Sequence, residues 1–255
     1  MTIKQTLLRL QPLKYYFKGK LVLNDSTHQQ VLKLVSSERA KRPSRTEVIN
    51  FVLSLKSGPT SYLEIGVCDP TKNFNHIIAS EKYSVDPGVE FHSNPVDFPL
   101  TSDDFFDQLA KGEILSSSHR FDVIFIDGLH LAEQVNRDIT NALKFLSDDG
   151  FIILHDCNPP SEWHAREQYD YRLSPAGNLW NGTCWKAFVK WRSNPSLYSC
   201  CIDTDWGVGI LSKSHPIGAP LKETNEFFEF SHFNERRKEQ LNLIDFDTFR
   251  KIFQS

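Results

Sequence analysis

The chain has 255 residues and a formal net charge of −3, and 40% of its residues are hydrophobic and 24% charged. These values are ordinary for a globular protein, and the length suits one large α/β domain with some elaboration. The charge balance lacks the basic footprint of a nucleic-acid-binding protein, and no run reaches the about 20 apolar residues of a membrane span. We therefore expect a cytoplasmic protein with no nucleic-acid partner and no membrane partner.

The first half of the chain predicts helices followed by alternating strands and helices. Apolar residues recur at helical spacing before the breaker Ser57-Gly58-Pro59, and the apolar run after it has the pattern of a strand. In chain order the expected elements are two helices between residues 25 and 57, a strand at 62–67, a short helix at 74–79, strands at 82–86 and 96–101, and a helix at 102–110.

The second half contains the two strongest strand patterns. Residues 121–127 (FDVIFID) and 151–154 (FIIL) are apolar runs separated by a helical stripe at 131–146. A strand, helix and strand in this order form a crossover unit, which joins parallel strands. A helix at 180–192 follows, then a hairpin of strands at 197–203 and 208–212 around a tight TDWG turn, and a last helix near 247–253.

These elements predict an α/β fold, a Rossmann-like doubly wound sheet that is mostly parallel, with a C-terminal antiparallel hairpin strand and helices on both faces. We divide the chain into an N-terminal helical extension (1–58), an α/β core (59–215) and a C-terminal helical tail (216–255). The tail holds four phenylalanines close together, which would cover either a neighbouring subunit of a homo-oligomer or the chain's own pocket: Phe227, Phe228, Phe230 and Phe233.

Polar residues follow the expected strands where a ligand crevice forms in such sheets. The first strand ends in Glu64-x-Gly66, where glycine permits close approach of a ligand to the backbone. About twenty residues later Asp86 ends the second strand, a position from which an acid can accept hydrogen bonds from both hydroxyls of a ribose. The alternative is that Glu64 caps a neighbouring element and that Asp86 only begins a turn.

The two strong strands deliver the chemical core of the sequence. Asp127 ends one strand and His155-Asp156 ends the other, while His130 lies three residues beyond Asp127. These groups are able to hold a divalent cation, or to orient a hydroxyl group and accept its proton. For His130, a capping or solvent-facing role is an equal alternative.

Two further groups have both a functional and a structural interpretation. Trp180, Asn181, Trp185 and Lys186 would suit a lid on an acceptor, but a core face with a solvated lysine explains them more simply. Asp205, in the TDWG segment, is interpreted as hairpin-turn chemistry.

Five segments, taken in this order, resemble a known family: residues 63–66 (LEIG), 84–87 (SVDP), 101–106 (TSDDFF), 125–130 (FIDGLH) and 150–156 (GFIILHD). They resemble the class I S-adenosylmethionine-dependent methyltransferases, and within that class the bacterial small-molecule and sugar O-methyltransferases that carry an IDGxH segment. The resemblance spans about residues 60–212, and the terminal hairpin is similar to the reversed seventh strand of that family.

The resemblance implies where the cofactor, S-adenosylmethionine, would bind. Glu64 and Gly66 would border its methionine part, and Asp86 would bind its ribose. Ser102 and Asp103 would lie near its adenine.

The resemblance also implies the catalytic groups. Asp127 would border the cofactor and, with His155 and Asp156, would occupy the positions that hold Mg²⁺ or another divalent cation in metal-assisted relatives. One of these positions is usually acidic, so His155 departs from the pattern, and both roles stay open for it: a ligand of the cation or a general base.

The first loop is a second departure from the family pattern. Where the family often has another glycine after Gly66, this chain has Val67-Cys68-Asp69-Pro70, and Pro70 lacks an N–H that would face the cofactor.

The leading hypothesis is methyl transfer to a hydroxyl group of a small molecule or saccharide, with Asp127, His130 or His155 as proton acceptor. The altered loop motivates an alternative, a catalytically inactive methyltransferase fold that binds a cofactor or a partner. A nicotinamide-dependent oxidoreductase is ranked last, because it requires GxGxxG after the first strand and the chain has none there.

Overall fold

A computed structural model describes residues 11–90 and 93–254 of the chain. Its strands are β1 (Ser61–Ile65), β2 (Glu81–Val85), β3 (Phe121–Ile126), β4 (Leu146–Leu154), β5 (Tyr198–Ile202), β6 (Val208–Ser212) and β7 (Leu243–Ile244). They form one sheet in the order β2-β1-β3-β4-β6-β5-β7. β1 to β4 pair in parallel, and β6 runs antiparallel to both β4 and β5. The expected mostly parallel sheet with an antiparallel hairpin strand is confirmed.

Helices surround this sheet in the described part of the chain. They are α1 (Gln11–Leu23), α2 (Ser26–Ala40), α3 (Arg45–Ser54), α4 (Ser102–Lys111), α5 (Ala132–Phe145), α6 (Cys184–Arg192), α7 (Phe230–Glu235), α8 (Arg237–Leu241) and α9 (Phe246–Ile252). Local chemistry sets several ends: a capping box of Ser44 and Glu47 begins α3, and left-handed Gly112 ends α4. Among these helices, none has the length and apolar character needed to cross a membrane.

The strands bury both faces, which is why they are continuously apolar. Leu63 and Ile124 point into one core cluster with residues of α4, α5 and α6, whereas Tyr62 and Val123 point into a second cluster with residues of α3 and α9. The alternation of side chains along each strand therefore places helices on both faces, as expected.

Two short elements differ from their predictions. Residues 96–101 form only an isolated bridge between Phe98 and Val85, because Pro95 and Pro99 beside it lack the N–H groups that a strand ladder needs. The helix expected at 74–79 is instead a pair of short 3₁₀ turns, Pro70–Lys72 and Phe74–His76, interrupted at Asn73. Asn73 is buried and its side chain bonds to Glu64, so tertiary contact outweighs the local helix signal.

The helix expected at 180–192 begins later, at Cys184, because Gly182 has a positive φ of 60°. Its Trp185 is 2% exposed and packs against Phe233 of the tail, with ring centroids 4.3 Å apart. The core interpretation of Trp185 is the one that the structure shows. Phe233 covers the chain's own core, while Phe227 is exposed.

Candidate active site at the strand ends

Asp127, directly after β3, is the centre of a buried polar cluster. Its Oδ1 atom lies 3.2 Å from His155 Nδ1 and 3.3 Å from His130 Nε2. Its Oδ2 atom lies 3.8 Å from the guanidinium of Arg45, which begins α3. Burial opposes ionisation of Asp127, but the two histidines and Arg45 outweigh it and hold its pKa well below the usual value.

His130 bridges two carboxylates. Its Nδ1 atom lies 3.1 Å from Asp156 Oδ2, and its ring stacks on Trp180 with centroids 5.3 Å apart. Burial would lower the pKa of His130, but Asp156 and Asp127 raise it to about 9. Asp156 adopts a positive φ of 61° and accepts a hydrogen bond of 2.5 Å from Asn181 Nδ2, which fixes its carboxylate beside the imidazole.

His155 is held on the opposite side of Asp127. Its Nε2 atom lies 3.4 Å from Asp205 Oδ1 and 3.2 Å from Arg45 Nη1. Burial would lower the pKa of His155, and Asp127 and Asp156 raise it well above the usual value. His155 is thus fully engaged by neighbouring charged groups of the cluster.

Three residues of the described chain could hold a metal ion together. Asp127, His130 and Asp156 each offer one ligand atom, and these atoms lie within 4.8 Å of one another. The predicted set had His155 in place of His130. Two carboxylates with one imidazole suit Mn²⁺ or Zn²⁺ better than Mg²⁺, which prefers oxygen ligands.

The loop after β1 and the end of β2 form the predicted cofactor-binding side of the site. Gly66 has a φ of +85°, and a Cβ atom there would lie 2.3 Å from the Asp127 carbonyl oxygen, so only glycine lets this loop approach β3. Asp86 accepts hydrogen bonds from Cys68 N at 2.8 Å and Gly88 N at 2.7 Å. These bonds orient its carboxylate at the end of β2 and leave lone pairs for other donors.

Ser102 and Asp103, predicted to lie near adenine, occupy the first turn of α4. Ser102 Oγ donates to buried Asp138 at 2.6 Å, and Asp103 pairs with Arg137 at 3.2 Å. These contacts join α4 to α5. In the described structure neither side chain bonds to the Asp127 cluster.

Glu64 forms a separate buried network at the end of β1. It accepts hydrogen bonds from the Tyr62 hydroxyl at 2.6 Å and from Asn73 Nδ2 at 2.9 Å. Asn73 in turn accepts from Thr46 of α3 at 2.7 Å. Burial raises the pKa of Glu64 from 4.5 to about 7, against the lowering effect of the Tyr62 bond.

This raised pKa predicts a loss of stability with rising pH. The folded chain keeps a proton on Glu64 that the unfolded chain releases, so the free energy of unfolding falls from about pH 4.5 to about pH 7, by up to about 3 kcal/mol. In Glu64→Gln the amide oxygen can still accept both hydrogen bonds and cannot ionise. We expect denaturant unfolding at pH 5 and pH 8 to show that the free energy of unfolding of the variant, relative to that of the wild type, is higher at pH 8 than at pH 5. The exposed Glu133→Gln is the control, and parallel pH dependence of all three proteins would contradict the account.

A cavity of about 270 Å³ opens beside the cluster. Its walls are Arg39, His155, Asp156, Asn178, Leu179, Trp180, Asn181 and Trp206. Trp180 and Asn181 therefore border a pocket, whereas Lys186 faces Glu167 at 3.4 Å.

Arg39, Arg45 and Asp205 are site residues that the sequence interpretation missed. The two arginines come from helices far earlier in the chain, and no local pattern marks them. The sequence shows Asp205 only as part of the TDWG turn. The structure adds that Asp205, Trp206 and Gly207 all have positive φ there, which is unusual for residues other than glycine.

Residues 50–157 match the family model described as a methyltransferase domain. This part of the chain is similar to a methyltransferase domain, in agreement with the resemblance to the class I S-adenosylmethionine-dependent methyltransferases. The match spans β1 to β4 and ends just beyond Asp156, so it includes every predicted site residue. No curated protein sequence that was compared matches the chain.

Solved structures that match the chain include an O-methyltransferase from Bacillus cereus in complex with SAH. It is 16% identical, with a TM-score of 0.45, over 81% of this chain and 100% of that chain. The O-methyltransferase TomG from Streptomyces achromogenes, in complex with SAM, is 12% identical, with a TM-score of 0.39, over 84% of this chain and 99% of its own. MycE, of the mycinamycin biosynthetic pathway, with Mg, SAH and mycinamycin VI, is 13% identical, with a TM-score of 0.43, over 78% of this chain and 57% of its own.

Proposed function

We propose that this methyltransferase transfers the methyl group of S-adenosylmethionine to a hydroxyl oxygen of a small molecule or saccharide. The observation that carries the proposal is the cavity of about 270 Å³, whose wall includes His155 and Asp156 of the cluster around Asp127. A hydroxyl group in this cavity would lie beside buried carboxylates that can accept its hydrogen bond.

The reaction is an in-line displacement in which the acceptor oxygen bonds to the methyl carbon as the carbon–sulfur bond breaks. Much of the rate enhancement comes from holding the three reacting atoms in line, so a pocket that fits the acceptor and the cofactor makes the main contribution. The acceptor also loses a proton. In the bridged group Asp156–His130–Asp127, with contacts of 3.1 Å and 3.3 Å, the carboxylate of Asp156 lines the cavity and would orient the hydroxyl and accept that proton.

His155 is a positioning residue in this proposal, because both its ring nitrogens face charged neighbours. Its contacts to Asp127 at 3.2 Å and to Asp205 at 3.4 Å hold the Asp127 carboxylate toward the cluster. A divalent cation bound by Asp127, His130 and Asp156 would lower the pKa of the acceptor hydroxyl.

The inactive alternative is not favoured. It rested on Pro70, yet Pro70 is the first residue of a 3₁₀ turn capped by Asp69, where a backbone N–H has no partner within the turn. The loop therefore forms with proline in place. The backbone N–H of Cys68, two residues earlier, still reaches Asp86.

The proposal is tested by incubating the protein with methyl-labelled S-adenosylmethionine and a panel of single-ring phenols and sugars. We expect label on an oxygen atom of at least one acceptor. Treatment with a chelator is expected to lower the rate at least about 10-fold, with recovery on adding Mn²⁺. Label on nitrogen or carbon alone, or no label with any acceptor, would contradict O-methylation. A rate indifferent to the chelator would contradict metal assistance only.

A further inference from the structure

One wall of the cavity, formed by residues 178–181, comes from the loop between β4 and α6. The guanidinium of Arg166 donates to five carbonyl groups of this loop at 2.5–3.4 Å, those of Trp163, Gln168, Tyr169, Gly177 and Leu179. Trp180 is anchored in turn, because its indole N–H donates to the carbonyl of Arg166 at 2.6 Å. The aromatic wall is therefore formed before any acceptor binds.

Three polar side chains on the cavity wall have no partner in the described structure. They are the guanidinium of Arg39, the amide of Asn178 and the indole N–H of Trp206. Each supplies hydrogen-bond donors, and Arg39 supplies a fixed positive charge. The other polar residues of the wall, including Asn181, are engaged within the cluster.

The charge of Arg39 is not balanced by the acid beside it in the sequence. Glu38 accepts from Lys41 at 2.5 Å and from the backbone N–H of Trp206 at 2.9 Å, so its carboxylate is already committed. Asp205, next to Trp206, is committed to Arg45 and His155. An incoming anion would thus meet a guanidinium whose five donors are all available.

The size of the cavity limits what fits. Pockets for drug-sized ligands are about 300–1,000 Å³, and about 270 Å³ lies just below that range. One six-membered ring with small substituents suits the space. Tryptophan faces accept either an aromatic ring or a sugar ring.

We propose that the acceptor is a hydroxylated single ring that carries a carboxylate, with its ring against Trp180 and Trp206 and its carboxylate on Arg39. This inference rests on the proposed function and adds the class of substrate. An aromatic acid and a uronic acid both have a hydroxylated ring with a carboxylate, and the test separates them.

The test uses two acceptor pairs that differ only in charge at the carboxyl carbon. The aromatic pair is 3,4-dihydroxybenzoate and its methyl ester, and the sugar pair is glucuronate and its methyl ester. Binding of each compound is measured by calorimetry in the presence of S-adenosylhomocysteine, so the result does not depend on turnover. Methyl transfer from labelled cofactor is measured in parallel.

The proteins compared are wild type, Arg39→Gln, Arg39→Lys and Lys33→Gln. Lys33 lies on the same helix and is exposed. Lys33→Gln removes one positive charge, as Arg39→Gln does, so it is the matched control. For at least one pair, we expect wild type and Lys33→Gln to bind the acid at least about 10-fold more tightly than its ester. Arg39→Gln should bring that ratio close to one, and Arg39→Lys should give an intermediate ratio, because lysine keeps the charge without the planar fork.

The outcomes separate the two proposals. Acid preference in one pair supports the inference and identifies the ring, and acid preference in both pairs supports a carboxylate site that accepts either ring. Equal binding of acid and ester by the wild type, no binding of any of the four compounds, or an unchanged ratio in Arg39→Gln overturns it. Acid-selective binding without labelled product would contradict the proposed function and leave the carboxylate site standing.

Discussion

Replacing Asp127 with asparagine is expected to lower kcat by about 10²–10⁴-fold while the chain still folds. The Asp127 carboxylate holds His130 at 3.3 Å and His155 at 3.2 Å, and it faces Arg45. Asparagine has the same shape but no negative charge, so each histidine loses one of the carboxylates that orient and charge it and keeps the others. A candidate cation would lose one of its three ligands as well.

The measurement is single-turnover methyl transfer, with circular dichroism to show that the fold is kept. Removing one partner from a buried charge cluster costs about 3–5 kcal/mol of stability, so assays belong well below the melting temperature of the variant. Asp148→Asn is the control, because Asp148 is exposed on the same sheet and takes part in no described contact. A folded Asp127→Asn protein with wild-type kcat would remove Asp127 from the chemistry.

Gly182→Ala is expected to abolish most activity by displacing His130. At Gly182, which has a φ of +60°, a Cβ atom would lie 2.0 Å from the backbone oxygen of His130 and 2.7 Å from its Cβ atom. Such contacts cannot persist, so the His130 segment must move away from Asp127 and Asp156. A displacement of about 1 Å at a catalytic group costs about 10²-fold in rate.

The chain supplies a matched control in the same loop. Gly177 has a φ of +57°, and a Cβ atom there meets nothing within 4 Å. Gly177→Ala therefore has the cost of a left-handed alanine, about 1–2 kcal/mol, without the collision. We expect it to lose stability and keep its rate, while Gly182→Ala loses both. Equal rates for the two variants would show that the contact with His130 does not matter.

The sequence predicts the sheet well, because its strands are long apolar runs bounded by clear breakers. β3 and β4 also determine that Asp127 and Asp156 meet, since adjacent parallel strands end at the same edge. The weaker elements fail where tertiary contacts dominate. Asn73 interrupts the expected helix, and its side chain donates a hydrogen bond to Glu64. The segment around Phe98 lies between two prolines and pairs with β2 through a single bridge.

The site is predicted less completely than the fold. Residues at strand ends are visible as motifs, whereas Arg39 and Arg45 reach the site from helices α2 and α3, more than 80 residues before Asp127. The sequence also does not show that His130, rather than His155, joins Asp127 and Asp156 as a candidate ligand. The ring of His130 stacks on Trp180, which comes from a loop 50 residues later.

We propose that S-adenosylmethionine binds at the ends of β1, β2 and β3, beside the Asp127 cluster. A calorimetric titration of the protein with S-adenosylhomocysteine measures this binding. We expect a Kd in the micromolar range, about −8 kcal/mol, that weakens at least about 10-fold in Asp86→Asn and is unchanged in Asp148→Asn. No binding by the folded wild-type protein, or equal binding by wild type and Asp86→Asn, would contradict it.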